Sequence, residues 1–323
     1  MPDDTTKSPM KILIHAIHYP VASARYAADA FKRLGHEVRH VGQETGRQIW
    51  GMDVDQKYVW HQGLPEDDWT PDLAILMDTA YQWHYPNENV PTIVWSVDNH
   101  VRDLRQPGIS HYFLAHRGVS VMEWITSGRQ IGDISGLVQF REAIGRPDMT
   151  WLPCAYDPTL FTPSPIPYAE REFDVAMIGV MYPARQRLVN ELRTAGLKVL
   201  AGTGLIYDEY VTAYHNARIS LCVSATGDVA QRVFETAAMG CAVVSDDCAD
   251  FKRLEARGIW QFEDDRDAVA LVMKVLDNPT FAQSYIEASL EWVKNETWDN
   301  RAQVIIDWLQ KRQAGEAFYA TAE

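Results

Sequence analysis

Several signatures of common protein classes are missing from this sequence of 323 residues. It has no Cys-x-x-Cys pair, no H-E-x-x-H motif and no G-x-x-x-x-G-K-[ST] motif, and no G-x-G-x-x-G follows its first apolar run. No window approaches the roughly 18 consecutive apolar residues of a membrane-spanning helix. These absences argue against paired-cysteine zinc folds, zinc peptidases, P-loop hydrolases, Rossmann dehydrogenases and transmembrane proteins.

Positive charge is also scarce. Lys and Arg number 30 against 44 Asp and Glu, which gives a formal net charge of −14, and no basic stripe stands out along the chain. A surface this acidic repels a polyphosphate backbone. The composition therefore argues against nucleic acid as a partner without excluding it.

The cysteines and the N-terminus bear on the cellular compartment. The chain has four cysteines: Cys154, Cys222, Cys241 and Cys248. Three of them lie in or beside apolar runs, where buried thiols are common. The first ten residues, MPDDTTKSPM, are polar and lack the basic-then-apolar order of a signal peptide. We expect reduced thiols, a cytoplasmic location and a flexible tail over residues 1–9.

What the sequence does contain is the material for about two globular domains. Hydrophobic residues make up 46 % of the chain, and short apolar runs alternate with segments of helical periodicity. This alternation predicts an α/β fold with parallel sheets and crossover helices. Two tandem Rossmann-like domains are predicted to face a cleft, one over residues 10–156 and one over residues 172–296. The four prolines of residues 157–171 predict a linker between them.

The strongest candidate for chemistry is the segment S-A-T-G-D-V-A-Q-R-V-F-E-T-A-A-M-G, residues 224–240, which joins an apolar strand to a helix. Asp228 and Gln231 have the spacing of a capping box, which predicts a helix from Val229 to Gly240. The free N–H groups of such a helix start attract a diphosphate.

Glu235 lies further along the same predicted helix. Its carboxylate has two oxygens with which to bind a ribose diol. The alternative is an ordinary ion pair with Arg232, three residues earlier, on a solvated helix face.

A second strand, glycine and helix start occurs at I-G-V-M-Y-P-A-R-Q-R, residues 178–187. Arg185 shares a helical face with apolar residues, which predicts that it projects at the rim of the cleft and grips a phosphate. A rim salt bridge is the alternative for Arg185. Arg187 is rotated by about 200° from it and is expected to be solvated.

In the first predicted domain, polar residues follow two strands. His18 and Tyr19 follow the first strand, whereas Asp98 and His100 follow the apolar run TIVWS; His116 is a further candidate. These types can act as a general base or bind an acceptor hydroxyl. Each of them can equally be an ordinary structural residue at the end of a strand.

The sequence gives no reason to expect a metal. The acidic pairs Asp246/Asp247 and Asp264/Asp265 follow strands but have no third ligand near them in the sequence. We therefore predict no required metal and no resident cofactor.

Three segments together resemble the GT-B glycosyltransferases: W-L-P-C-A-Y-D-P-T-L-F-T-P (151–163), D-V-A-M-I-G-V-M-Y-P-A-R (174–185) and R-V-F-E-T-A-A-M-G (232–240). Within that group the chain is most similar to the spore maturation protein branch, with its "glycosyl transferases group 1" C-terminal domain. The resemblance implies a nucleotide-sugar donor in the C-terminal domain and an acceptor in the N-terminal one. It also implies that a C-terminal helix, within residues 297–323, crosses back onto the first domain.

The resemblance also assigns residues of the donor site. It implies that Glu235 holds the donor ribose, that Arg232 is the motif arginine, that Arg185 contacts the donor phosphate and that Gly179 allows the donor to approach closely. The larger retaining relatives carry two glutamates eight positions apart. In this chain the position eight before Glu235 is Gly227, next to Asp228.

These observations favour a glycosyltransferase that moves a sugar from a nucleoside diphosphate to a hydroxyl acceptor without metal and with retention of configuration. The alternatives are a nucleotide-sugar epimerase on the same fold and a non-catalytic nucleotide- or glycan-binding protein. The sequence leaves the donor base and the acceptor open; the acceptor can be a saccharide, a surface-polymer precursor, a protein side chain or a modified nucleic-acid base.

Overall fold

A computed structural model describes residues 8–16, 21–45, 48–49, 52–53, 58–61, 68–77, 85–97, 108–115, 148–224 and 228–318. The chain divides into two compact units. The first consists of the chain up to Pro153 together with the chain from Arg301 onward, and the second consists of Cys154–Asn300. Both units are α/β, so the predicted fold class is confirmed.

The first unit contains a seven-stranded sheet. Its strands run in the order β5-β2-β1-β6-β7-β8-β9, all parallel to their neighbours except β5, which is antiparallel to β2. A short hairpin pairs β3 with β4. The elements are β1 (Lys11–His15), α1 (Ser23–Arg33), β2 (Glu37–Thr45), β3 (Gln48–Ile49), β4 (Met52–Asp53), β5 (Tyr58–His61), β6 (Leu73–Met77), β7 (Thr92–Ser96), β8 (Ile109–Leu114) and β9 (Met149–Trp151).

Two neighbouring strands in the middle of this sheet, β6 and β7, are mostly apolar. Every residue of β6 and of β7 is buried, as expected where both faces of a parallel sheet are covered. The last helix of the chain also contributes to this unit, since the ring of Trp308 lies 5.3 Å from that of His111 and 5.9 Å from that of Phe113 on β8.

The second unit contains a five-stranded parallel sheet in the order β11-β10-β12-β13-β14. The first strand therefore lies between the second and the third, so the crossover direction reverses between β10 and β12. Ligands of open α/β sheets bind beyond the carboxyl ends of the strands at such a switch point. The strands are β10 (Phe173–Ile178), β11 (Val199–Gly202), β12 (Ala217–Cys222), β13 (Ala242–Asp246) and β14 (Ile259–Phe262).

Helices cover both faces of this sheet and close an apolar core that includes Val175, Met177, Ile219 and Val244. A single 3₁₀ turn, Tyr168–Glu170, precedes β10. The helices of this unit are α2 (Pro183–Thr194), α3 (Asp208–His215), α4 (Gln231–Ala238), α5 (Asp250–Arg253), α6 (Asp265–Asp277) and α7 (Pro279–Val293). They are followed by α8 (Trp298–Gln313), which belongs to the first unit from Arg301 onward.

The predicted linker, residues 157–171, lies within the second unit. Arg171, which is buried, donates to the carbonyl oxygens of Ile166 at 3.2 Å, Ala217 at 3.0 Å and Gly240 at 2.8 Å. These bonds fasten the proline-rich segment to the sheet, so the units divide just before it, between Pro153 and Cys154.

Two further observations concern expectations from the sequence. All four cysteines are buried and none forms a disulfide. Of the helices in the described ranges, none is both long enough and apolar enough to span a bilayer.

Candidate functional site

The switch point of the second sheet is marked by Gly179, the residue after β10. Its N–H donates to the carbonyl of Gly202, at the end of β11, over 2.8 Å, and its φ is +142°. A Cβ at this position would overlap Nη2 of Arg232 and lie 3.8 Å from Nη1 of Arg185. Glycine is therefore favoured here by its backbone conformation and by the close approach of the Arg232 guanidinium.

Arg185 lies on α2 with the buried residues Leu188, Val189 and Leu192, so the predicted helical face is confirmed. The predicted position at a rim is wrong, since Arg185 is only 8 % exposed. Its Nη1 donates to the carbonyl of Val180 at 2.8 Å, and its Nε donates to that of Val223 at 2.8 Å. Nη2 donates to the Val223 carbonyl as well. Val180 and Val223 lie just beyond the ends of β10 and β12, so the guanidinium is bonded to backbone at the carboxyl ends of these strands.

The neighbouring Arg187 is mostly exposed, in accordance with its predicted rotation away from Arg185. It forms an ion pair with Asp265, whose carboxylate accepts from its Nε at 2.5 Å. Arg185 and Arg187 thus have different environments although they lie two positions apart on α2.

Arg232, on the first turn of α4, is the least satisfied polar side chain of the site. Its Nε and Nη1 are buried and have no hydrogen-bond partner among the described residues. It also lies close enough to Arg185 for its charge to lower the pKa of that guanidinium, after the larger effect of burial. Arginine does not escape such an environment by losing its proton. Two positive charges therefore meet beside Gly179.

Glu235 is 6 % exposed, so the alternative of a position on a solvated helix face is wrong. The Tyr210 hydroxyl donates to its Oε2 at 2.7 Å, and Nε2 of Gln231 donates to its Oε1 at 2.7 Å. Burial raises the pKa of the Glu235 carboxyl, while Gln231, Tyr210 and Arg232 act in the opposite direction.

The predicted capping box is also wrong. Helix α4 begins at Gln231 rather than Val229, and its N-cap residue, Ala230, makes no side-chain cap. The Asp228 carboxylate instead accepts a hydrogen bond from the Ser224 hydroxyl, and the Asp228 N–H donates to the Ser224 Oγ at 3.1 Å. Asp228 is therefore hydrogen-bonded to Ser224, four residues earlier, and does not cap the helix.

A second carboxylate, that of Asp246, lies at the end of β13. It accepts from the backbone N–H of Ser224 at 2.9 Å and from the Ser245 hydroxyl at 3.2 Å. Burial raises the pKa of Asp246 to about 6, the two hydrogen bonds oppose the rise, and the charge of Asp228 adds to it.

Asp246 should make the stability of the protein depend on pH. Its pKa in the folded state lies above the ordinary 3.8. Between about pH 4 and pH 6 the folded protein keeps a proton that the unfolded chain has lost, so the free energy of unfolding falls as pH rises. The loss amounts to on the order of 3 kcal/mol. In urea unfolding between pH 4 and pH 7, Asp246→Asn should gain stability relative to the wild type as pH rises.

The control for this prediction is Asp247→Asn, which changes an exposed neighbouring carboxylate. Its stability relative to the wild type should vary far less over the same range. An Asp246→Asn curve that stays parallel to the wild-type curve would contradict the assignment.

The sequence-predicted residues thus separate into two groups. The structure brings Gly179, Arg185 and Arg232 together, with Glu235 on the same helix as Arg232. The acceptor-side candidates lie outside the described residues and stay predictions: His18, Tyr19, Asp98, His100 and His116. In the described ranges, no group of three or more His, Cys, Asp or Glu side chains is arranged to hold a metal ion.

Sequence reasoning missed Tyr210. This residue lies on α3, which follows a different strand, and 25 positions separate it from Glu235. No periodicity or motif links the two, so only the packing of α3 beside α4 reveals the contact.

Comparisons with known proteins agree with this architecture. Residues 165–307 match the family model described as "Glycosyl transferase-like". AviGT4, a glycosyltransferase involved in avilamycin A biosynthesis, has a TM-score of 0.59 and 15 % identity, over 95 % of this chain and 99 % of its own. An α-glucosyltransferase in complex with UDP and a 13-mer DNA containing an HMU base has a TM-score of 0.59 and 11 % identity, over 94 % and 100 %.

HepE of Anabaena, in complex with UDP-glucose, has a TM-score of 0.57 and 11 % identity, over 94 % of this chain and 100 % of its own. The comparison with curated proteins by sequence found no match. The predicted likeness to the spore maturation branch stays a prediction. The chain has the GT-B fold of these glycosyltransferases, and its residues 165–307 are similar to the glycosyl transferase-like family.

Proposed function

We propose that this protein transfers a sugar from a nucleoside-diphosphate sugar to a hydroxyl acceptor and that the second unit binds the donor. The observation that carries this proposal is the pair of arginines beside Gly179, at the switch point of the sheet. Neither guanidinium forms an ion pair in the described part of the chain, so their charge is available to an anion. The UDP bound in one of the similar structures and the UDP-glucose bound in another support a diphosphate as that anion.

Each residue then has a distinct role. Arg232 binds the diphosphate through its unsatisfied N–H groups, and Arg185, held by backbone carbonyls, adds a fixed positive charge. Such preorganised charge stabilises the departing diphosphate in the transition state. Glu235 binds the ribose diol. Asp228 has no direct role in this scheme because its carboxylate is bonded to Ser224.

The two arginines supply the positive charge that a divalent cation supplies in other transferases. We therefore propose transfer that persists in EDTA. From the resemblance to GT-B glycosyltransferases we also propose retention of configuration at the sugar. The general base and the acceptor contacts are proposed to come from His18, Tyr19, Asp98 or His100 of the first unit.

A ribose contact at Glu235 predicts discrimination between ribonucleotides and deoxyribonucleotides. Glu235→Gln should lower the ratio of UDP affinity to 2′-deoxy-UDP affinity by on the order of tenfold or more. The reason is that the variant loses the charged hydrogen bond to the 2′-hydroxyl, which only UDP has. Calorimetric titration of both nucleotides into both proteins measures the ratio; GDP and ADP with their 2′-deoxy forms replace them if the donor base is not uracil. A ratio that survives the substitution would place the ribose elsewhere.

Turnover separates the proposed function from its alternatives. UDP-, GDP-, ADP-, TDP- and CMP-sugars are incubated with and without a panel of hydroxyl acceptors, and products are identified by mass spectrometry and NMR. A transferase releases the nucleotide and forms a glycosylated acceptor. An epimerase converts the donor without any acceptor, and a binding protein leaves every donor unchanged although it binds one.

A further inference from the structure

The carboxylate of Glu235 is held from two sides by uncharged donors. Tyr210 on α3 donates to one oxygen and Gln231 on α4 donates to the other, each at 2.7 Å. Because the donors come from different helices, they fix both the position and the direction of the carboxylate. We call this pair of side chains, Tyr210 and Gln231, the carboxylate clamp.

The natural partner of Glu235 is nevertheless close by. Arg232 lies three residues earlier on α4, a spacing that places two side chains on one helical face within reach of each other. Arg232 is also the strongest donor in need of an acceptor, because its Nε and Nη1 are buried without hydrogen bonds to any described residue. An ion pair with Glu235 would satisfy both groups. The oxygens of Glu235 are instead bonded to Tyr210 and Gln231.

We propose that Tyr210 and Gln231 are positioning residues that keep Glu235 from neutralising Arg232, so that the guanidinium stays open to an oxyanion. The identity of that oxyanion as the diphosphate of a sugar donor rests on the proposed function. The clamp itself requires only that Arg232 bind a phosphate-type anion.

The carboxylate clamp also orients Glu235 towards the ribose of the proposed nucleoside-diphosphate ligand. An ionised carboxylate offers about four acceptor sites. Tyr210 and Gln231 occupy two of them, which leaves two for the two hydroxyls of a ribose. The same pair of hydrogen bonds therefore keeps Arg232 open to a phosphate and presents Glu235 to a diol.

The test removes the clamp without removing the residues that it positions. Tyr210→Phe keeps the ring, which packs 4.9 Å from Tyr214 and 6.0 Å from Phe161 between ring centroids. Gln231→Leu keeps the approximate volume on the helix. In calorimetric titrations with inorganic pyrophosphate, the double variant should bind on the order of tenfold more weakly than the wild type, because Glu235 turns to Arg232.

A third substitution distinguishes positioning from damage. In the triple variant, which adds Glu235→Gln, no carboxylate is left to neutralise Arg232, and pyrophosphate affinity should return to that of Glu235→Gln alone. A merely structural loss would not be rescued by a further substitution. Melting curves establish that each variant is folded, and Tyr210→Phe alone, with and without Glu235→Gln, repeats the comparison if the double variant does not fold.

Three results would overturn the proposal. Wild-type affinity in the double variant would show that Glu235 needs no clamp, and an unrescued triple variant would show local damage; in both cases the proposed donor site stands. A wild-type protein that binds neither pyrophosphate nor any nucleoside diphosphate would remove the anion site, and with it both the clamp and the proposed function.

Discussion

Replacing Arg232 with methionine should weaken the binding of nucleoside diphosphates by on the order of 100-fold, since the loss of one partner of a desolvated charge pair costs several kcal/mol. Methionine keeps most of the length and the apolar stem of the side chain. It removes the Nε and Nη1 groups that are buried without partners. Calorimetric titration of a diphosphate that binds the wild type measures the effect.

Arg187→Met is the matched control. Arg187 lies on α2 with its charge paired to Asp265, and it is mostly exposed. Its replacement should leave diphosphate affinity within about twofold of the wild type, since exposed ion pairs contribute little. Equal losses in the two variants would indicate a general effect of net charge, and an unaffected Arg232→Met would refute the assignment of this arginine.

Gly179→Ala should have the second large effect. The φ of +142° is unfavourable for any residue with a Cβ, and the added methyl would overlap Nη2 of Arg232. The strain should cost about 1–3 kcal/mol of unfolding free energy. Because the guanidinium must move aside, diphosphate affinity should fall by on the order of tenfold or more. Urea unfolding and calorimetry measure the two effects separately.

Gly202→Ala serves as the control, because Gly202 ends the neighbouring strand and an added Cβ would have no atom within 4 Å outside its chain neighbours. It should alter neither binding nor stability by a comparable amount. Retained diphosphate affinity in folded Gly179→Ala would show that the position of Arg232 beside the backbone is not needed for binding.

The fold could be predicted because its signals are local and strong. LAILM is apolar at every position and TIVWS has an apolar centre between Thr92 and Ser96, and in the structure every one of these residues is buried in β6 and β7. The helix start predicted within residues 178–187 corresponds to the beginning of α2 at Pro183, because proline is favoured in the first turn of a helix.

The boundaries were less predictable where one side chain had two possible partners. Asp228 has the spacing of a helix cap, but its carboxylate accepts a hydrogen bond from the Ser224 hydroxyl instead, and α4 starts at Gln231. The prolines of residues 157–171 indicate a linker, but Arg171 bonds that segment to the sheet from its far end. Neither the contact of Asp228 with Ser224 nor the contacts of Arg171 can be predicted from the spacing of residues along the chain.

For the candidate site, the identity of the residues could be predicted from the sequence more accurately than their arrangement. Arg185 was expected at a rim and is buried against backbone carbonyls, because the sheet ends offer acceptors that no sequence pattern reveals. Tyr210 could not be foreseen at all, since its bond to Glu235 depends on how two helices from different crossovers pack together.

The central claim is that the second unit binds a nucleoside diphosphate at its arginine pair. Thermal unfolding of the wild-type protein with UDP, GDP, ADP, TDP, CMP, their sugars and inorganic pyrophosphate tests it most directly. A ligand at 100 times its Kd adds about 2.7 kcal/mol of stability. We expect a clear rise in Tm with pyrophosphate and a larger rise with one family of nucleotides. No rise with any of these ligands would contradict a donor site beside Gly179.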